Sequence, residues 1–147
     1  LIHTLENIHD MWDEDTNIDP TDLAEEARKI PKLHAKYYRM LTSEHQIQRR
    51  LEADQKKLLL LRSEFYDGTL PEEELRKYGW EPYLKRVLKS DIKNYLDSDP
   101  LVIKIKLKIG EQHEKVDLLE GILKSLNNRG FLLNTMLQFE KLKLGLS

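Results

Sequence analysis

Basic side chains stand beside aromatic ones in residues 49–66. Arg49-Arg50, Lys56-Lys57 and Arg62 precede the pair Phe65-Tyr66. Positions 49, 56 and 62 recur near a heptad interval, so on a helix Arg49, Lys56 and Arg62 share roughly one side. Cationic groups neutralise phosphates and aromatic rings stack on unpaired bases, which together is the chemistry of single-stranded nucleic-acid binding. Two further basic groups follow: Lys85, Arg86 and Lys89, then Lys104 with Lys108 one turn apart and Lys106 on another face. The same residues also read as a solvated helix face, with Phe65 in a core and lysine stems lying along an apolar seam.

Bond-breaking chemistry has no visible machinery. None of His3, His9, His34, His45 and His113 stands in H-x-x-x-H spacing with a glutamate, and there is no cysteine. Neither a G-x-x-x-x-G-K-[ST] nor a G-x-G-x-x-G loop occurs, so nothing is built to cradle a nucleotide. The expectation is a non-enzyme with no catalytic residue, no metal and no cofactor. Without cysteine, disulfides play no part and an intracellular setting is permitted. The longest apolar run, residues 58–61, is far short of a membrane span. The opening LIHTLENIHDMW lacks the basic start of a signal peptide.

The net charge of −2 hides an asymmetry. Nine of the 26 acids and none of the 24 Lys and Arg lie in residues 1–26, so residues 27–147 carry 24 bases against 17 acids, +7. An acidic leader on a basic body points to an anionic partner for the body. Residues 1–18 are read as a flexible acidic leader, although Leu1, Leu5, Ile8 and Trp12 also fit a short amphipathic helix. Residues 19–147 are read as the helical DNA-binding and oligomerisation domain.

These side chains need long helices to position them. Asp19-Pro20 reads as a cap followed by proline at the first helical position, and Pro31 predicts a break or kink. Leu33, Tyr37, Met40, Ile47, Leu51, Leu58, Leu61 and Phe65 step by alternating four and three, with Glu44 and Asp54 in the gaps. Gly68 suits a helix end. The connector 67–89 carries a T-x-x-E capping box at 69–72 and a turn at 79–82, and Ser90 is placed to cap a short helix. Asp99-Pro100 starts a second long helix. Its seam is Val102, Ile105, Ile109, Gln112, Val116, Leu119, Leu123, Leu126, Gly130, Leu133 and Leu137. Residues 101–109 alternate apolar and lysine, which also suits a strand, but the unbroken heptad favours helix. Gly130 marks a close backbone contact or a kink. Two such helices make an αα-hairpin whose spare apolar faces call for self-assembly, with residues 116–137 of that seam (Val116, Leu119, Leu123, Leu126, Gly130, Leu133, Leu137) as the oligomerisation set.

A long heptad helix ending in RSEFYDG (62–68), then VLKSDIKNYLDSD, then a second heptad helix carrying Asn128-Arg129-Gly130-Phe131, in this order over 31–145, resembles the UvsY family. These are recombination mediator proteins of tailed phages related to the T-even group. The resemblance implies an all-α, long-helix αα-hairpin protomer that closes into a homo-oligomeric ring of six or seven subunits. It implies binding of single-stranded DNA, displacement of the phage single-strand-binding protein and loading of a RecA-like phage recombinase, in the cytoplasm of the infected bacterial host. A Lys and an Arg two apart before the aromatic pair are linked to DNA binding in the family. Arg62 matches the Arg, whereas Leu60 stands at the Lys position, leaving Lys56 or Lys57 to supply that charge. The resulting DNA-contact set is Arg49, Lys56, Lys57, Arg62, Tyr66, Lys85, Arg86 and Lys89. Residues 139–145 look like the family's assembly region. The alternative reading is a non-enzymatic coiled-coil adaptor with no DNA role.

Overall fold

The computed structural model describes residues 3–145, and among them all regular structure is helical. In chain order the α-helices are α1 (Leu5–Asp15), α2 (Leu23–Asp67), α3 (Glu72–Tyr78), α4 (Ile92–Asp97) and α5 (Pro100–Lys143), with a 3-10 turn at Lys89–Asp91. The competing strand at 101–109 is therefore helix. Ile47–Gly110 forms one compact unit and the rest of the described chain the other, so each long helix contributes a segment to both.

In the unit built from the two chain ends, α1 starts on a reciprocal cap. Thr4 Oγ1 accepts from the Asn7 amide at 3.1 Å, and Asn7 Oδ1 accepts from the Thr4 amide at 3.3 Å. Ile8, one of the four-and-three-spaced apolar residues, is fully buried against Tyr37, Leu41 and the α5 seam. Trp12 meets the Tyr37 ring edge-on at 5.6 Å. Asp15 Oδ2 accepts from Lys36 Nζ at 2.6 Å and from the Tyr37 hydroxyl at 2.7 Å. The expected flexible leader is thus corrected: residues 5–15 are a core helix, because burying Ile8 and Trp12 stabilises them while most of the acids face water.

The same core corrects the oligomerisation set. Val116, Leu119, Leu123 and Leu126 are buried within the protomer by α1 and α2, and Leu133 is buried as well. Leu137 remains 43 % exposed. A Cβ at Gly130 would meet nothing within 4 Å, so no close backbone approach requires glycine there. The two polar seam positions find each other. Gln112 Nε2 donates to the Glu44 carboxylate at 2.6 Å and to the Glu44 carbonyl at 2.8 Å, with both residues buried.

At the start of α2 the capping residue is Asp22, which accepts from the Glu25 amide at 3.1 Å. Asp19 instead forms a tight local turn on Thr21. The helix runs on through Pro31 without ending.

In the unit Ile47–Gly110, Gly68 closes α2 with φ 79 and Gly79 closes α3 with φ 70, a region glycine enters without steric cost. The Thr69 capping box does not form, because Asp67 takes both the amide and the hydroxyl of Thr69. Pro71 precedes α3 without a side-chain cap, and Asp91 rather than Ser90 precedes α4. Asp99 does cap α5, accepting the Leu101 amide at 2.8 Å. Among the described residues no helix is long and apolar enough to cross a membrane.

Candidate nucleic-acid interface

The expected contact residues fall into two classes. Arg49, Lys56 and Lys57 are exposed on α2, as are Lys85, Arg86 and Lys89 in the connector before α4. Arg62 and Tyr66 are buried, each 8 % exposed. All eight lie in the unit Ile47–Gly110, which holds 14 Lys and Arg against 11 Asp and Glu, a net +3. The remainder of the chain holds 10 against 15, a net −5. The basic excess therefore resides in the unit that carries the candidate interface.

Arg62 and Tyr66 are a correction to the surface set. The Arg62 Nε donates to Asp99 Oδ2 at 2.6 Å, and the Tyr66 hydroxyl donates to the same oxygen at 2.8 Å. The other oxygen of Asp99 serves the first turn of α5, so one fully buried carboxylate joins the end of α2 to the start of α5. The guanidinium carbon lies 4.1 Å from the Phe65 ring centre and 4.5 Å from that of Trp80. Tyr83 and Tyr95 continue the cluster, each packing on Tyr66. A guanidinium packed on two rings and paired to a carboxylate is committed to the fold, and it has no free charge to offer a phosphate.

Burial alone would raise the Asp99 carboxyl. Hydrogen bonds from Arg62, Tyr66 and the Leu101 amide, with the Arg62 charge, outweigh it and hold Asp99 below the usual carboxylate range. Burial, and then donation to Asp99, push the Tyr66 phenol up. Asp99, Trp80, Tyr83 and Tyr95 were not assigned to the site by sequence reasoning. The available signal was local: Arg62, Phe65 and Tyr66 stand at i, i+3 and i+4, which face one another and need a common neighbour.

Arg49, Lys56, Lys57, Lys85, Arg86 and Lys89 are thus the exposed bases of the candidate interface, on α2 and in the connector, while Arg62 and Tyr66 belong to a buried aromatic–ionic clamp in the same unit. Exposed bases of this kind can neutralise phosphates without reading base edges. Among the described residues no group of His, Cys, Asp and Glu could hold a metal ion.

Comparison with known proteins gives this surface its context. The curated recombination protein uvsY of Enterobacteria phage T4 is 29 % identical over 127 residues, covering 86 % of this chain and 88 % of that protein. Two crystal structures of the bacteriophage T4 recombination mediator protein UvsY superpose with TM-scores of 0.84 and 0.83 at 24 % and 23 % identity. They cover 97 % and 95 % of this chain and 99 % of the other in each case. The family model described as recombination, repair and ssDNA binding protein UvsY matches residues 11–146, nearly the whole chain, so this protein belongs to the UvsY family.

Proposed function

We propose that the protein is a recombination mediator that makes and breaks no bond. It binds single-stranded DNA through Arg49, Lys56 and Lys57 on α2 with Lys85, Arg86 and Lys89 in the connector. It helps displace the phage single-strand-binding protein and loads a RecA-like phage recombinase, acting in the cytoplasm of the infected bacterial host. The observation that carries the reading is the set of exposed bases in the one unit of net positive charge, in a chain of this family. Arg62 and Tyr66 act as positioning residues, tying the end of α2 to the start of α5 through Asp99. Assembly into a closed ring of six or seven subunits repeats the exposed bases, so avidity replaces any strong single site. The exposed apolar side chains at the end of α5, Leu137, Phe139 and Leu142, with Leu144 just beyond it, are the surface for that assembly.

The test is single-strand binding by Arg49→Ala/Lys56→Ala across a salt series, alongside recombinase filament growth on DNA coated with single-strand-binding protein. Loss of about one unit of salt slope per lost phosphate contact, with delayed filament growth, supports the reading. Unchanged binding with unchanged loading places the DNA elsewhere. No binding by the unaltered protein leaves the adaptor reading.

A further inference from the structure

The Asn128-Arg129-Gly130-Phe131 segment takes no part in that set of exposed bases, yet it borders a cavity of its own. The C-terminal end of α1 and one flank of α5 enclose about 510 Å³, lined among others by Thr16, Lys124, Ser125, Asn128, Arg129 and Leu132. The lining holds two cations and no carboxylate. Arg129 is only 5 % exposed. One of its nitrogens donates to the carbonyl and hydroxyl of Thr16, both at 3.0 Å, and the guanidinium carbon lies 5.5 Å from the Trp12 ring centre. Among the described residues no carboxylate stands within ion-pair distance of it.

Thr16 ends α1, so a cation there also steadies the helix terminus. That role uses one edge of the guanidinium. It leaves unexplained why a buried cation lines a cleft of mixed polar and apolar character beside the exposed Lys124, Ser125 and Asn128. Phe131 is 78 % exposed and lies two turns on from Lys124 on the same flank of α5. A buried cation, a flexible cation, neutral hydrogen-bonding groups and an adjacent bare ring are what a nucleotide in a single strand requires.

We propose that this cavity is a second seat for single-stranded DNA. Arg129 and Lys124 hold one backbone phosphate, Ser125 and Asn128 bond to its oxygens, and Phe131 stacks on a neighbouring base. The inference rests on the DNA-binding reading above and adds a site within the acidic unit, where net charge would not place one.

The experiment is fluorescence anisotropy of a labelled poly-thymidine oligonucleotide over a salt series, with sedimentation of every variant. Lys124→Ala/Asn128→Ala changes exposed residues and is expected to weaken binding several-fold, with a salt slope lower by about one. Gly121→Gln adds a side chain to the cavity lining without a clash at Cβ, since a Cβ there meets nothing within 4 Å, and favours the helix. It is expected to weaken binding while thermal stability holds or rises. Phe131→Ala should weaken binding with the salt slope unchanged. If these variants bind like the parent while Arg49→Ala/Lys56→Ala does not, the seat is overturned and the α2 interface stands. If the loss comes with an altered assembly mass, the cavity is a packing feature and the proposal fails. If the unaltered protein does not bind, both readings fall together.

Discussion

Asp99 shows how far one side chain can reorganise a site. Its carboxylate satisfies Arg62, Tyr66 and the first amides of α5, so each partner depends on it. Asp99→Asn should destabilise the protein by about 3–5 kcal/mol, because it strands a buried guanidinium; chemical denaturation measures this directly. Arg62→Ala should cost a similar amount and lower the melting temperature. Arg62→Lys should not rescue it, since an ammonium cannot pack a planar face on Phe65 and Trp80 while pairing with Asp99. The folded-state Asp99 pKa lies below the unfolded value of about 3.9. The stabilisation is therefore present in full above that value and is lost as pH falls through the folded pKa. Urea midpoints across the acid range should decline for the parent and be flatter, and lower throughout, for Asp99→Asn. A rise in parent stability on acidification would contradict the clamp. The sequence showed Arg62, Phe65 and Tyr66 as a group but not their direction. Periodicity assigns a face, whereas the partner Asp99 is 37 positions away and was read as a cap alone.

Among the elements, α1 departs most from expectation. Its nine-acid neighbourhood suggested a tail, yet Ile8 and Trp12 were enough to bind it to the core. Composition averages over a helix, while burial is decided by the stripe. Ile8→Ala should cost about 2–5 kcal/mol, since the side chain is fully enclosed. Removing residues 5–15 should expose the α5 seam to hydrophobic dyes. The long helices were legible because heptad spacing persists across them, and so was the Asp99-Pro100 start. The caps at 19, 69 and 90 were misplaced by a few residues. Near the first two, the carboxylates of Asp22 and Asp67 take the amides instead, and sequence alone does not rank such competitors. Pro31 was expected to break or kink α2, and the helix runs on through it. A proline costs the helix one amide bond, a loss that tertiary packing of its neighbours outweighs.

At the scale of the whole molecule, apolar surface is the quantity that moved. The seam from Val116 to Leu126 was reserved for partners and is instead filled from within the chain. Heptads mark a buried face without saying whose helix buries it. Leu123→Asp is therefore expected to unfold the protomer rather than separate intact protomers, with loss of helical circular dichroism. Side chains beyond the core tell a different story: Phe139 is 63 % exposed and Leu142 71 % exposed. Phe139→Ser/Leu142→Ser should keep the helical signal and lower the sedimenting mass. An unchanged mass would remove the last turns of α5 from the assembly surface.

Glu44 and Gln112 give the hairpin a means of recognising itself. Identical chains at high local concentration offer every α2 a choice among many equivalent α5 helices, and leucine seams discriminate poorly between them. A polar pair locked at one height works like a keyed connector: only the helix presenting amide opposite carboxylate at that level closes without stranding a polar group. Replacing both, Glu44→Leu/Gln112→Leu, should raise the melting temperature yet broaden the distribution of assembled masses as neighbours exchange helices. That outcome would show the pair trading stability for fidelity of self-pairing, read from mass heterogeneity and not from any single folded copy.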